Sequence, residues 1–162
     1  MTIEIRSAIE REARRGARRS AVLHEVWQQF LDHGGPVPIA DVERAMRGPA
    51  ADDVRGALKA LDDADLLLIA GDAIQLAYPF TTGPNQFAVE LANGGTRYSC
   101  CAIDPLGLAP MLGEPLTIRS RCHHSGAPLV IAVDPDGPRS PPQTMVWIAP
   151  RDACGPRAAT GL

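Results

Sequence analysis

An α+β fold follows from three features of the 162-residue chain. Apolar residues recur at three- and four-residue steps through the first part of the sequence, residues 66–77 read as a β-hairpin, and the texture changes after Tyr78 to short alternating runs broken by Gly, Pro and Asn. These features divide the chain into a three-helix lobe over residues 1–78, a small mixed β-sheet lobe over 79–150 and a flexible tail over 151–162.

The leading stretch carries Arg6, Arg11, Arg14, Arg15, Arg18 and Arg19 against Glu4, Glu10 and Glu12, which reads as a solvated basic face. From Ser20 to His33, Val22, Leu23, Val26, Trp27, Phe30 and Leu31 form one apolar stripe, and Gly34-Gly35-Pro36 stops the helix. Ile39, Val42 and Met46 mark a second, shorter helix, and Gly48-Pro49 separates it from a third between Ala51 and Ala64. Leu66 to Ala70, the turn Gly71-Asp72 and Ala73 to Ala77 then form the hairpin. Three helices with a terminal hairpin look like a winged helix, a fold whose third helix often enters the DNA major groove. Here Asp52, Asp53, Asp62, Asp63 and Asp65 outnumber Arg55 and Lys59, so this surface repels phosphates and the lobe reads as a packing scaffold.

Pro79 to Pro84 marks the lobe boundary. Beyond it, Phe87 to Leu91 alternates like a half-buried strand, Asn93-Gly94-Gly95 supplies a turn, and Leu116 to Ser120, Leu129 to Val133 and Met145 to Ala149 are further strands. The Asp134 to Pro142 segment is a proline-rich loop.

A hydrophobic share of 45% supports a globular core, and a formal charge of -3 gives no general attraction to nucleic acid. No apolar run approaches the roughly 18 residues that span a bilayer, and no secretory h-region opens the chain, so a cytoplasmic protein without a membrane partner is expected. In that reducing compartment the four cysteines are expected as thiols rather than disulfides.

Their placement carries the chemistry. In Tyr98-Ser99-Cys100-Cys101-Ala102-Ile103-Asp104, a thiol and a carboxylate three residues apart can meet on one side of a helical turn, joining a soft metal-seeking nucleophile to a proton carrier. The bland readings are an inert buried thiol at Cys101 and a helix N-cap at Asp104. A second patch reads Arg121-Cys122-His123-His124-Ser125-Gly126-Ala127-Pro128. A zinc site from Cys100, Cys101, Cys122 and a histidine is disfavoured, because adjacent cysteines on extended chain point apart and no Cys-x-x-Cys is present.

Tyr98, Cys101-Ala102-Ile103-Asp104, the Leu106 to Gly113 segment, and Cys122 with Ser125-Gly126-Ala127-Pro128 resemble the organomercurial lyases, also called alkylmercury lyases, in order and spacing. The resemblance is best over Gln86 to Val133; the helical lobe resembles the family's N-terminal domain in architecture. It implies protonolysis of a carbon-mercury bond, with Cys101 as the first mercury-binding thiol, Asp104 as the proton relay and Cys122 as a buried structural thiol. It implies an organomercurial substrate in mercury detoxification, small thiols or a mercury-accepting protein to remove the product, and no cofactor. The family's second catalytic cysteine lies in a Cys-Cys-His segment that this sequence lacks. Cys154, or the extra thiol Cys100, is left to take its place, with Cys154 preferred because a tail can close over bound mercury. The alternative is a non-catalytic, regulatory mercury- or soft-metal-binding protein; a third reading makes Cys101 an ordinary nucleophile.

Overall fold

The computed structural model describes residues 21–46, 54–139 and 144–146. The basic leading stretch, Asp52, Asp53 and the tail with Cys154 lie outside the described residues. The chain divides into two compact units between Ala77 and Tyr78.

In the first unit α1 spans Ala21–His33 and buries Val22, Leu23, Val26 and Phe30, the expected stripe. It closes where Gly34, at φ 76°, donates its N–H to the Phe30 carbonyl at 2.9 Å, a left-handed position that suits a residue without Cβ. A two-residue strand, β1 (Val37–Pro38), leads into α2 (Ile39–Ala45), and α3 (Val54–Asp63) follows with Val54, Leu58 and Leu61 buried. The hairpin consists of β2 (Leu67–Ala70) and β3 (Ala73–Ala77), with β1 pairing antiparallel along the other side of β3. Both cations of α3 are engaged: Arg55 reaches Glu43 of α2 at 2.6 and 3.1 Å, and Lys59 pairs with Asp63 one turn on. These pairs are solvent-exposed and add little stability, but they leave the helix surface without a cationic stripe.

The second unit contains β4 (Phe80–Thr81), β5 (Ala88–Glu90), β6 (Thr96–Ser99), α4 (Asp104–Leu112), β7 (Leu116–Arg121), β8 (Pro128–Asp134) and β9 (Gly137–Pro138). Its strands lie in the order β4, β6, β5, β7, β8, β9, each pair antiparallel. This corrects the expected mixed sheet. A parallel pair needs a crossover of a dozen or more residues, whereas β5 to β6 and β7 to β8 are joined by tight turns.

The segment from Met145 to Ala149 also departs from expectation where it is described: Thr144 to Val146 form no strand, and residues 147–149 lie outside the described residues. Val89, Leu116, Ile118 and Val133 make the buried face of the sheet, and α4 packs on β7, β8 and β9 through Leu108 and Ala109, both fully buried. Pro105 sits in the first turn of α4, where its missing N–H costs nothing, and Gly113 at φ 71° ends the helix with an N–H bond to the Ala109 carbonyl. The sheet and its packed helix therefore fix the two ends of the bend 100–103, which joins β6 to α4. No helix among the described residues is long and apolar enough to cross a membrane.

Candidate active site

The reactive bend begins where β6 ends. Ser99 is the last strand residue and is fully buried; its N–H donates to the Phe87 carbonyl at 3.0 Å. Cys100 follows, also buried, with its N–H on the Pro79 carbonyl at 3.2 Å and its Sγ donating to the Phe80 carbonyl at 3.3 Å. Burial pushes the Cys100 thiol far above the ordinary thiol range, and the charges of Asp104 and Cys101 push the same way. Cys100 is thus a buried thiol bonded to the backbone of β4.

Cys101 has other partners. It is half-buried, and its thiol lies at the N-terminus of α4 within hydrogen-bonding reach of three groups: the N–H of Asp104, the N–H of Ile103 and the Asp104 carboxylate. Burial is the largest influence and raises its pKa. The two backbone N–H groups oppose that by favouring the thiolate, while the charge of Asp104 and its hydrogen bond to the thiol add to the rise. One carboxylate oxygen of Asp104, Oδ2, is shut off from solvent. Ile103 occupies the N-cap position with no side-chain cap, and Asp104 is the first helical residue, so the N-cap reading of Asp104 does not hold.

A sulfur that accepts from helix N–H groups and touches a desolvated carboxyl can bind a soft cation as thiolate while its proton moves to the carboxyl. The structure therefore brings Cys101 and Asp104 together and ties the Cys100 thiol to the Phe80 carbonyl. The expected i to i+3 meeting occurs, though through the bend leading into α4 rather than along a completed helical turn.

Cys122 stands in the turn between β7 and β8, where its N–H donates to the Ala127 carbonyl and its carbonyl accepts from Gly126, both at 2.8 Å. The expectation of a buried structural thiol is overturned: the residue is only partly covered, and its thiol is held below the ordinary range. The Ser125 hydroxyl is the main cause, followed by the N–H groups of Ser125 and His124, while desolvation opposes them weakly. Hydrogen bonds to the thiolate outweigh burial because a six-residue turn curls its amides inward over a side chain left near solvent. Spacing alone did not reveal Ser125 as a thiol partner. Its signal was the small residue three positions after the cysteine, before Gly126.

Cys100, Cys101 and Cys122 are free thiols. Among the described residues no group of three or more His, Cys, Asp or Glu is placed to hold a metal ion. Cys154 lies outside the described residues.

The family model for alkylmercury lyase matches residues 80–162, more than half of the chain and all of the bend that carries Cys101 and Asp104. The chain belongs to the alkylmercury lyase family. Among curated relatives, the alkylmercury lyase of Streptomyces lividans is 33% identical over 131 residues, covering 77% of this chain and 57% of that protein. The alkylmercury lyase of Staphylococcus epidermidis is 29% identical over 108 residues, covering 67% of this chain and 48% of the relative. The chain thus spans about half the length of these alkylmercury lyases. A crystal structure of the mercury-bound form of MerB2 superposes with a TM-score of 0.61 at 18% identity, covering 81% of this chain and 66% of that one, a likeness of fold.

Proposed function

We propose that this alkylmercury lyase family member cleaves carbon-mercury bonds at Cys101 and Asp104. The observation that carries the reading is the contact between the Cys101 thiol and the Asp104 carboxyl at the head of α4. Mercury(II) is soft and takes sulfur before oxygen or nitrogen, so Cys101 is the group that would hold the organomercurial. On binding, the thiol proton passes to Asp104 and a mercury-sulfur bond forms as the small-thiolate ligand carried by the organomercurial leaves. The carbon-mercury bond then breaks with its electron pair remaining on carbon, and Asp104 returns the proton to that carbon. The hydrocarbon leaves, and Hg(II) remains on sulfur until small thiols or a mercury-accepting protein remove it. The sequence of steps balances without an oxidant or an organic cofactor.

An aspartate carboxylate in its ordinary range, with a pKa of roughly 3.9, is ionised at neutral pH and has no proton to give. The neighbouring thiol, whose pKa is raised by burial, supplies one at the moment mercury binds. A second sulfur for Hg(II) is assigned to Cys154 rather than Cys100, because Cys100 is a buried thiol whose hydrogen bond is committed to the Phe80 carbonyl. The first unit serves as a winged-helix-like packing scaffold, a reading supported by its order of three helices and a hairpin with β1 alongside β3.

The test uses the purified full chain with methylmercury or phenylmercury and excess small thiol, with headspace methane or benzene and mercury uptake measured in parallel. Hydrocarbon release together with uptake supports cleavage. Uptake without hydrocarbon identifies a mercury-binding protein instead.

A further inference from the structure

The geometry points to Asn85 as a positioning residue that straps the end of β6 and so holds Cys101 in its half-buried place beside Asp104. Asn85 is exposed and precedes β5, yet its amide reaches the last residue of β6 as well as its own loop. Its Nδ2 donates to the Ser99 carbonyl at 2.9 Å, and its Oδ1 accepts the Phe87 N–H at 2.8 Å. The peptide unit between Ser99 and Cys100 is thereby gripped at both edges, since the Cys100 N–H already donates to the Pro79 carbonyl.

Two residues later comes Cys101, past the last ladder bond of β6. With no strand partner of its own, its position depends on the grip immediately upstream and on α4 immediately downstream. The other end of the strap is fixed by packing: a Cβ on Gly83 would collide with the Cγ, Cδ2 and Cε2 atoms of the Tyr98 ring, so the chain lies flat against that ring. Gly83 and Asn85 thus fasten the segment before β5 to Tyr98 and Ser99, consecutive residues of β6.

A residue that merely completed a local turn would make only the Oδ1 contact. Asn93 does that: its Oδ1 accepts the Gly95 N–H at 2.9 Å in the turn between β5 and β6, and it is an internal control of the same chemistry. The difference between the two asparagines is the Nδ2 bond to the strand that leads into the site.

The activity arm of the test rests on the lyase reading; the thiol-reactivity arm does not. Iodoacetamide labelling of Cys101 in the full chain is followed by peptide mass spectrometry, beside hydrocarbon release and a melting curve, for parent, Asn85→Ala and Asn93→Ala. Releasing the strap uncovers the thiol, so Cys101 in Asn85→Ala labels about threefold faster or more, as burial was its main restraint. Turnover falls by about tenfold with KM little changed, because the sulfur is no longer held against Asp104. Opposite movement of labelling and turnover is the signature, and Asn93→Ala leaves both at parent values.

Asn85→Asp keeps the Oδ1 acceptor for Phe87 and turns the donor to Ser99 into a carboxylate oxygen that repels the Ser99 carbonyl, so it also gives the faster labelling even where the alanine variant melts early. Parental labelling of Cys101 in both Asn85 variants overturns the inference, as does equal acceleration in Asn93→Ala. If the parent releases no hydrocarbon, the lyase reading fails on its own and the labelling comparison still decides the strap.

Discussion

The Cys101 thiol and the Asp104 carboxyl share a hydrogen bond at the N-terminus of α4, and the N–H groups of Ile103 and Asp104 converge on the same sulfur. On the proposed lyase reading, this one small bend supplies the mercury-binding atom, the carrier for its proton, and two donors that stabilise the sulfur once that proton has left. Binding and proton delivery are then separate, so the two functions should be removable independently.

Asp104→Asn keeps the shape of the side chain but can neither take the thiol proton nor return it. The expected outcome is mercury uptake close to that of the parent and a fall in hydrocarbon release of roughly 100-fold or more, the usual range for losing a positioned proton carrier. Headspace chromatography and mercury stoichiometry on the same sample check both halves. A variant that cleaves normally would remove Asp104 from the reaction.

The three described cysteines order themselves by environment. Cys122, held low by Ser125 and the amides of its turn, carries the largest thiolate fraction at neutral pH; Cys101 is raised by burial, and Cys100 is raised much further. Raising the pH from neutral should therefore bring on alkylation of Cys122 first and Cys101 next, with Cys100 unreactive until the protein unfolds. Site-resolved mass spectrometry over a pH series reads this order directly, and a Cys100 that labels before Cys101 would contradict it.

Cys100→Ala removes a buried thiol and its hydrogen bond to the Phe80 carbonyl. The cost is about 1–2 kcal/mol, from one lost sulfur contact and one carbonyl left short of a donor. Mercury stoichiometry should stay at the parent value, because this thiol is buried and held by the Phe80 carbonyl. Denaturant unfolding measures the first expectation and metal titration the second.

Leu108 is fully buried where α4 meets the sheet. Leu108→Ala is expected to cost about 2–5 kcal/mol through lost burial and the cavity left behind. Because α4 carries Asp104 at its head, hydrocarbon release should fall at temperatures where the parent is still folded. Chemical denaturation with activity assayed at matched temperatures tests the link.

The first three helices and their hairpin were legible because each has one buried face, and a single stripe such as Val22, Val26 and Phe30 has one natural period. Helix α4 is harder to read: Pro105 and Pro110 interrupt it, and Leu106, Leu108, Ala109, Met111 and Leu112 spread apolar residues around it rather than along one face. Strand β6, Thr96-Arg97-Tyr98-Ser99, was missed because it holds no strongly apolar residue and gains its place from β4 and β5 on either side. The pairings of β4 with β6 and of β5 with β7 likewise depend on partners distant in sequence.

Of the site, the pairing of Cys101 with Asp104 was legible from three-residue spacing. The strap by Asn85 and the thiolate-favouring turn around Cys122 were not, since both depend on which amides a loop happens to aim at one atom.

The most direct test compares Cys101→Ser with the parent chain on methylmercury or phenylmercury in excess small thiol, following methane or benzene in the headspace. Serine keeps the size of the side chain and its place at the head of α4 but offers mercury a hard oxygen. Hydrocarbon is expected from the parent, and none above the uncatalysed background from the variant. Release by Cys101→Ser at the parent rate would refute the assignment of Cys101 as the mercury-binding thiol.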